Sequence, residues 1–124
     1  MSGLLLDTSV VIQGIEGLEG TGAISVLTFG ELRAGVLLAG DAQTRAARQS
    51  RLAALRREFA PLPVDTLVAD RYGDVLAAAR RERRITKASD LLIVATAAAT
   101  GRVLLTLDGA QARLAGSVGV SVEG

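Results

Sequence analysis

Four acidic residues occupy positions at which a folded chain could bring their carboxylates together. They are Asp7, Glu31, Asp90 and Asp108. Converging carboxylates repel one another strongly unless a cation lies between them, and hard divalent cations such as Mg²⁺ prefer such oxygen ligands. A carboxylate-bound metal pair, roughly 3.5 to 4 Å apart, activates water and stabilises the leaving oxygen of a phosphodiester. The chemistry that this set suggests is therefore metal-assisted hydrolysis.

The remaining composition narrows the classes of site that the chain could contain. The 124 residues include no histidine and no cysteine. A histidine general base, a Ser-His-Asp triad, a thiolate metal site and a disulfide are thereby excluded. The length predicts a single domain over residues 1–124. The longest apolar run, residues 91–99, is shorter than the roughly 18 residues of a membrane span, and no signal-peptide pattern precedes the first strand, so we predict a cytoplasmic protein with no membrane partner.

Apolar runs alternate with helical segments, which predicts an α/β fold with a parallel sheet between layers of helices. The predicted strands cover residues 3–6, 23–27, 61–64, 102–108 and 118–122. The predicted helices cover residues 8–15, 28–40, 42–59, 66–83, about 87 or 89 to 100, and 110–115. Asp41 and Asp65 are the expected N-caps of two of these helices, and residues 17–22 are the expected glycine-rich connection.

The four acids fall near the carboxyl ends of the predicted strands, where open α/β sheets bind ligands. Asp7 follows three leucines directly, and an ionised carboxylate there is costly to bury without a partner. The other three also have simpler explanations: Glu31 as capping-box partner of Thr28, Asp108 as an N-cap, and Asp90 as a first-turn acid favoured by the helix dipole. Both interpretations remain open at this point.

Basic residues concentrate in two stretches although the net charge is only +1. The first contains Arg45, Arg48, Arg51, Arg56 and Arg57, and the second contains Arg80, Arg81, Arg83, Arg84 and Lys87. They are either solvated helix faces or a surface for a polyanion, because guanidinium groups match phosphate geometry. Aromatic residues make up 2% of the chain, so base stacking is not the expected main mode of any nucleic-acid binding.

Four ordered segments carry a specific resemblance. LLLDTSVVI, SVLTFGELRAG, SDLLIVATAAATG and LLTLD resemble the motif blocks of PIN-domain ribonucleases, and more narrowly of the VapC toxins of toxin–antitoxin pairs. The resemblance covers nearly the whole chain. It implies a three-layer α/β/α fold with a central parallel sheet of four to five strands. It also implies a Mg²⁺- or Mn²⁺-dependent endoribonuclease that cuts structured RNA (tRNA, rRNA or mRNA), forms a homodimer and is neutralised by a cognate VapB-type antitoxin.

The same resemblance assigns roles to individual residues. Asp7, Glu31, Asp90 and Asp108 would be the metal-binding acids. Four residues with hydroxyl groups would orient carboxylates or water: Thr8, Ser9, Thr28 and Thr106. Of these, Ser9 and Thr106 would belong to the catalytic set. The chain departs from many relatives after its T-x-D unit, since Gln111 and Ala112 stand where another acid, Asn or His is followed by Phe. A weakly bound second metal is the expected consequence.

Three competing classes are distinguishable by residue pattern. A phosphoryl-accepting receiver domain needs an acidic pair after the first strand and a lysine after the last, and this chain offers neither. A haloacid-dehalogenase-type phosphatase needs a second acid two residues after Asp7, where Ser9 stands. A catalytically weak or inactive PIN fold that only binds RNA or protein remains the alternative, because an acid is missing near Gln111.

Overall fold

The computed structural model describes residues 3–14 and 22–124. Within these ranges, five strands form one all-parallel sheet in the order β3-β2-β1-β4-β5, which confirms the predicted fold class. The strands are β1 (Leu4–Leu6), β2 (Gly22–Ser25), β3 (Ala60–Leu62), β4 (Val103–Leu105) and β5 (Val122–Glu123). The helices are α1 (Thr8–Gln13), α2 (Val26–Leu37), α3 (Ala42–Glu58), α4 (Thr66–Arg81), α5 (Ala88–Thr100) and α6 (Gly109–Ser117). Within the described ranges, none of these helices is both long and apolar enough to cross a bilayer.

The two faces of the sheet are covered by different helices. Because successive side chains of a strand point to opposite faces, Leu5 and Leu6 of β1 enter separate cores. Leu5 packs in the core formed with α4, α5 and α6, which includes Ile93. Leu6 packs in the core formed with α1, α2 and α3, which includes Leu52. Full burial of each leucine stabilises the fold by about 1.5–3 kcal/mol, so β1 joins the two layers.

The strand order creates a crevice beside β1. The chain proceeds from β1 outward to β2 and β3, then returns to the other side of β1 for β4 and β5. Ligands bind at such a switch point, beyond the carboxyl ends of the strands. Leu6 pairs with Leu105, and Asp7 N donates to Leu105 O at 2.9 Å. Asp7 and Thr106 therefore leave the sheet side by side at this crevice.

The start of α2 differs from the prediction. The second strand ends at Ser25 because Ser25 Oγ accepts from Leu27 N at 3.1 Å and caps the helix. Thr28 thus lies inside the first turn of α2, and its predicted capping box with Glu31 is wrong. The helix ends at Leu37, three residues before the predicted Gly40.

The other boundaries agree within a few residues. The expected caps are confirmed: Asp41 accepts from Thr44 N at 2.7 Å, and Asp65 accepts from Val68 N at 3.0 Å. Strand β4 is shorter than residues 102–108, and β5 lies at Val122–Glu123 rather than 118–122. Of the predicted connection at residues 17–22, only Gly22 lies among the described residues, and the predicted last residue of the first helix, residue 15, lies outside them.

Helix α4 ends in a hydrogen-bond pattern that normally uses glycine. Arg84 N donates to Ala79 O at 2.8 Å and Arg83 N donates to Arg80 O at 3.1 Å, the two bonds of a Schellman motif. Arg83 has φ 55°, in the left-handed region that is strained for residues with a Cβ. The chain direction toward α5 is therefore set by a strained residue.

We expect Arg83→Gly to stabilise the protein by about 0.5–1 kcal/mol, because relief of the left-handed strain exceeds the added entropy of the unfolded chain. Arg83→Ala is the matched control, since it removes the same side chain but keeps the Cβ. Thermal melts of the three proteins measure the effect. Equal melting temperatures for the glycine and alanine variants would show that residue 83 is not strained.

Candidate active site

The carboxylate of Asp7 is the centre of the crevice beside β1. Asp7 is 4% exposed, and its Oδ2 accepts from Ser9 Oγ at 2.7 Å and from Thr106 Oγ1 at 2.8 Å. The two hydroxyls are oriented in turn, because Leu107 N donates to Ser9 Oγ and Asp108 N donates to Thr106 Oγ1, both at 3.0 Å. Backbone N–H groups therefore direct both hydroxyl protons toward the carboxylate.

The local sequence explains why this carboxylate faces β4. Asp7 is the N-cap residue of α1, with extended backbone angles (φ −67°, ψ 152°). Its side chain turns toward the end of β4 instead of the first turn of its own helix, and Ser9 in that turn reaches the same oxygen. Placing Asp7 at the end of a buried strand thus gives its carboxylate donors from two chain segments.

Glu31 lies on α2, and a second pair of hydroxyl groups, those of Thr8 and Thr28, holds its carboxylate. Thr8 Oγ1 donates to Glu31 Oε1 at 3.2 Å. Thr28 Oγ1 lies 2.9 Å from Thr8 Oγ1, and it is the donor there because the single Thr8 proton is used by Glu31. Glu31 also lines an apolar groove of about 290 Å³ between α1, α2 and α3, together with Ile12 and Leu52.

Asp90 and Asp108 line a neighbouring cleft of about 230 Å³. Asp108 Oδ1 accepts from Ala110 N at 2.9 Å and from Gln111 N at 3.3 Å, so it does cap α6 as the simpler explanation predicted. Asp90 lies in the first turn of α5, also as predicted. Lys87, the N-cap residue of α5, lines the same cleft.

The pKa of Asp90 is affected by the other three acids of the candidate site. Burial is the main cause that raises the pKa of Asp90 above its ordinary value, while the Lys87 ammonium opposes this shift. Repulsion by Asp7, Glu31 and Asp108 raises the pKa of Asp90 further. Asp7, Glu31 and Asp108 therefore each lie close enough to Asp90 to affect its pKa.

The donor set suits a hard cation, although the carboxylates are not closely grouped. Within residues 3–14 and 22–124, no three acidic side chains stand near enough together to form a ready-made metal site. Their mutual repulsion and all-oxygen chemistry nevertheless match what Mg²⁺ or Mn²⁺ requires. Metal ligation by these acids remains a prediction, since ion binding would have to draw their side chains together.

The sequence matches the PIN domain family over residues 4–117. Ribonuclease VapC8 of Mycobacterium tuberculosis is 42% identical over 100 residues, which cover 75% of this chain and 88% of the relative. The chain belongs to the PIN domain family. Ribonuclease VapC4 of the same organism is 35% identical over 115 residues, covering 84% of this PIN domain protein and 85% of the relative.

A solved structure from a toxin–antitoxin system is also similar to this chain. The crystal structure of VapBC-5, a member of the VapBC family of toxin–antitoxin systems from Mycobacterium tuberculosis, contains a chain that is 32% identical to this PIN domain protein. The TM-score is 0.80, and the alignment covers 98% of this chain and 96% of that chain. Together with the VapC relatives, this similarity confirms the resemblance to VapC toxins drawn from the four motif blocks.

Two residues near the site were not assigned a role by sequence reasoning. Gln111 is 3% exposed, and its Nε2 lies 2.9 Å from Asp90 O and 3.4 Å from Asp7 Oδ1. Its burial was foreseeable, because the spacing of residues 111, 114 and 115 places them on one helical face. Lys87 was grouped with the second basic stretch, although its position three residues before Asp90, at the start of the same predicted helix, was a signal for its place in the acidic cleft.

The raised pKa of Asp90 predicts a stability effect that depends on pH. Between the ordinary pKa of 3.8 and the raised value, the native state retains a proton that the unfolded chain has lost. Stability due to this group therefore falls as pH rises through that window. We expect Asp90→Asn to raise the melting temperature of metal-free protein at pH 7 and to lose this advantage below about pH 3.8.

Thermal melts in EDTA at several pH values measure this difference. Asp70→Asn, at an exposed position on α4, is the matched control and should change little at either pH. A gain for Asp90→Asn that persists at pH 3, or no gain at pH 7, would contradict the assignment.

Proposed function

We propose that this protein is a cytoplasmic, metal-dependent endoribonuclease toxin that hydrolyses phosphodiester bonds of structured RNA. The observation that carries the proposal is the buried Asp7 carboxylate, which two oriented hydroxyls hold at the switch point of a parallel sheet. The names of the VapC relatives support ribonuclease activity. The RNA is a tRNA, rRNA or mRNA, since the composition does not favour one class.

Four carboxylates would hold Mg²⁺ or Mn²⁺ in this proposal: Asp7, Glu31, Asp90 and Asp108. When bound, the ion supplies an activated water and stabilises the leaving oxygen. Ser9 and Thr106 fix the Asp7 carboxylate, and Thr8 fixes that of Glu31. Burial is the main cause of the raised pKa of Asp90, and a cation would offset the repulsion by neighbouring acids that adds to it, so the charges of the free site favour cation binding.

The second basic stretch is the better candidate for RNA phosphates. Arg80, Arg81 and Arg83 are exposed at the end of α4, just before the segment that lines the acidic cleft. In contrast, side chains of the α3 stretch bind the chain's own carbonyls: Arg48 Nη1 donates to Gly35 O at 2.8 Å, and Arg45 Nη2 donates to Leu37 O at 3.2 Å. Part of the α3 stretch therefore fastens α3 to α2.

We further propose a cognate VapB-type antitoxin and a homodimer as the protein partners. The similar chain of VapBC-5 comes from a toxin–antitoxin system. Exposed apolar side chains provide surface that a partner could cover: Ile12, which lines the groove between α1, α2 and α3, is 63% exposed, and Leu38, the C-cap residue of α2, is 80% exposed.

A second candidate function is an RNA- or protein-binding PIN fold with weak or no catalysis. The absence of three closely grouped acids in the described part of the chain favours this alternative. It predicts RNA binding without metal-dependent cleavage.

We expect RNA cleavage to require Mg²⁺ or Mn²⁺ and to stop in excess EDTA. Asp7→Asn, Glu31→Gln, Asp90→Asn and Asp108→Asn should each abolish cleavage, because each removes a carboxylate charge while keeping the side-chain shape. A gel assay on mixed tRNA, rRNA and mRNA measures the products, and circular dichroism verifies the fold. Asp70→Asn should cleave like wild type. Sustained cleavage in EDTA would refute metal dependence, and binding without cleavage would favour the second candidate.

We expect the affinity of metal-free protein for RNA to fall steeply with salt concentration, because arginine–phosphate contacts release counterions. Combining Arg80→Gln, Arg81→Gln and Arg83→Gln should flatten the slope of log affinity against log salt by roughly 0.7–0.9 for each lost contact. Filter binding at several salt concentrations measures this slope. Arg57→Gln, at an exposed position on α3, is the control. A flatter slope only in the control would place the RNA on α3.

A further inference from the structure

Gln111 is a polar residue on the buried face of a helix. Leu114 and Ala115 share this face of α6, and both are apolar. Burying a side-chain amide is unfavourable unless its hydrogen bonds are made. Gln111 satisfies this condition through two acceptors from other segments, the backbone oxygen of Asp90 at 2.9 Å and Oδ1 of Asp7 at 3.4 Å. The amide thus links α6 to α1 and to the first turn of α5.

The hydrogen bonds of Asp7 make its two carboxylate oxygens unequal. Oδ2 accepts from Ser9 and Thr106, which uses both of its lone pairs. Among the described residues, Oδ1 accepts from Gln111 alone, which leaves one lone pair for a ligand. The amide of Gln111 has two N–H groups, so one can serve Asp90 O while the other serves Asp7 Oδ1. The carboxylate is therefore held from both sides with Oδ1 as its available oxygen.

We propose that Gln111 is a positioning residue that fixes Asp7 Oδ1 as the oxygen presented to the divalent cation. This inference rests on the proposed metal-dependent function. The donor is neutral, so it adds no negative charge to a site where repulsion already raises the pKa of Asp90. Its contact with Asp90 O also fixes the distance between the α5 and α6 walls of the cleft.

Gln111→Met tests the role because methionine has a similar length and no N–H donor. Isothermal titration of EDTA-stripped, full-length protein with Mg²⁺ alone, at a temperature where circular dichroism shows full folding, gives the dissociation constant. We expect about 10- to 100-fold weaker Mg²⁺ binding, the usual effect of losing a group that orients a metal ligand. Gln43→Met, the same replacement at an exposed position on α3, should bind Mg²⁺ like wild type.

Gln111→Asn is the second variant, usable if Gln111→Met does not fold. It keeps the amide but is one methylene shorter, so it reaches at most one of the two acceptors, and we expect an intermediate loss of affinity. Equal Mg²⁺ affinity for wild type and the folded variants, even with a lowered melting temperature, would overturn the positioning role and leave Gln111 as a structural tie. Failure of wild type itself to bind Mg²⁺ would instead refute the metal site of the proposed function, and this inference with it.

Discussion

The buried carboxylate of Asp7 requires hydrogen-bond donors, and this requirement determines how the segments at the carboxyl ends of β1 and β4 are arranged. An ionised group at 4% exposure destabilises the fold unless donors replace its lost water. Those donors, Ser9, Thr106 and Gln111, come from three helices or loops that meet only because β1 pairs with β4. The parallel pairing of these strands thus builds the site, and the site in turn fixes how the β4–α6 connection leaves the sheet.

At this edge of the sheet the acidic side chains have hydrogen-bond donors, but their negative charges are not fully neutralised. Asp108 serves as a helix cap, and Glu31 is held by Thr8, yet both still repel Asp90. Lys87 opposes that repulsion, and the pKa of Asp90 stays raised mainly because the carboxyl is partly buried. In the proposed function, a cation would balance the negative charge of a site that is already well supplied with hydrogen-bond donors. This imbalance is the physical basis for assigning metal chemistry to it.

Local sequence patterns predicted much of the fold, but they did not predict the contacts between distant segments of the chain. Strand and helix order followed from apolar periodicity, and the caps at Asp41 and Asp65 from their side-chain chemistry. The predicted start of α2 was wrong because Ser25 and Thr28 are both good caps by residue type, and it is Ser25 whose Oγ accepts from Leu27 N and caps the helix. The four acids were identified from their positions at strand ends, but their spacing depends on side-chain directions that no local pattern encodes. The link from Gln111 to Asp7 spans 104 positions and was likewise beyond local reasoning.

The origin of the oxygen added during RNA cleavage tests the central claim most directly. A metal-activated water would place its oxygen on phosphorus, whereas attack by the RNA 2′-hydroxyl would not. Single-turnover cleavage with Mg²⁺ in H₂¹⁸O, followed by mass spectrometry of the product ends, separates these routes. Attack by a metal-activated water predicts a linear terminal phosphate that carries one ¹⁸O. A 2′,3′-cyclic phosphate without ¹⁸O would contradict it.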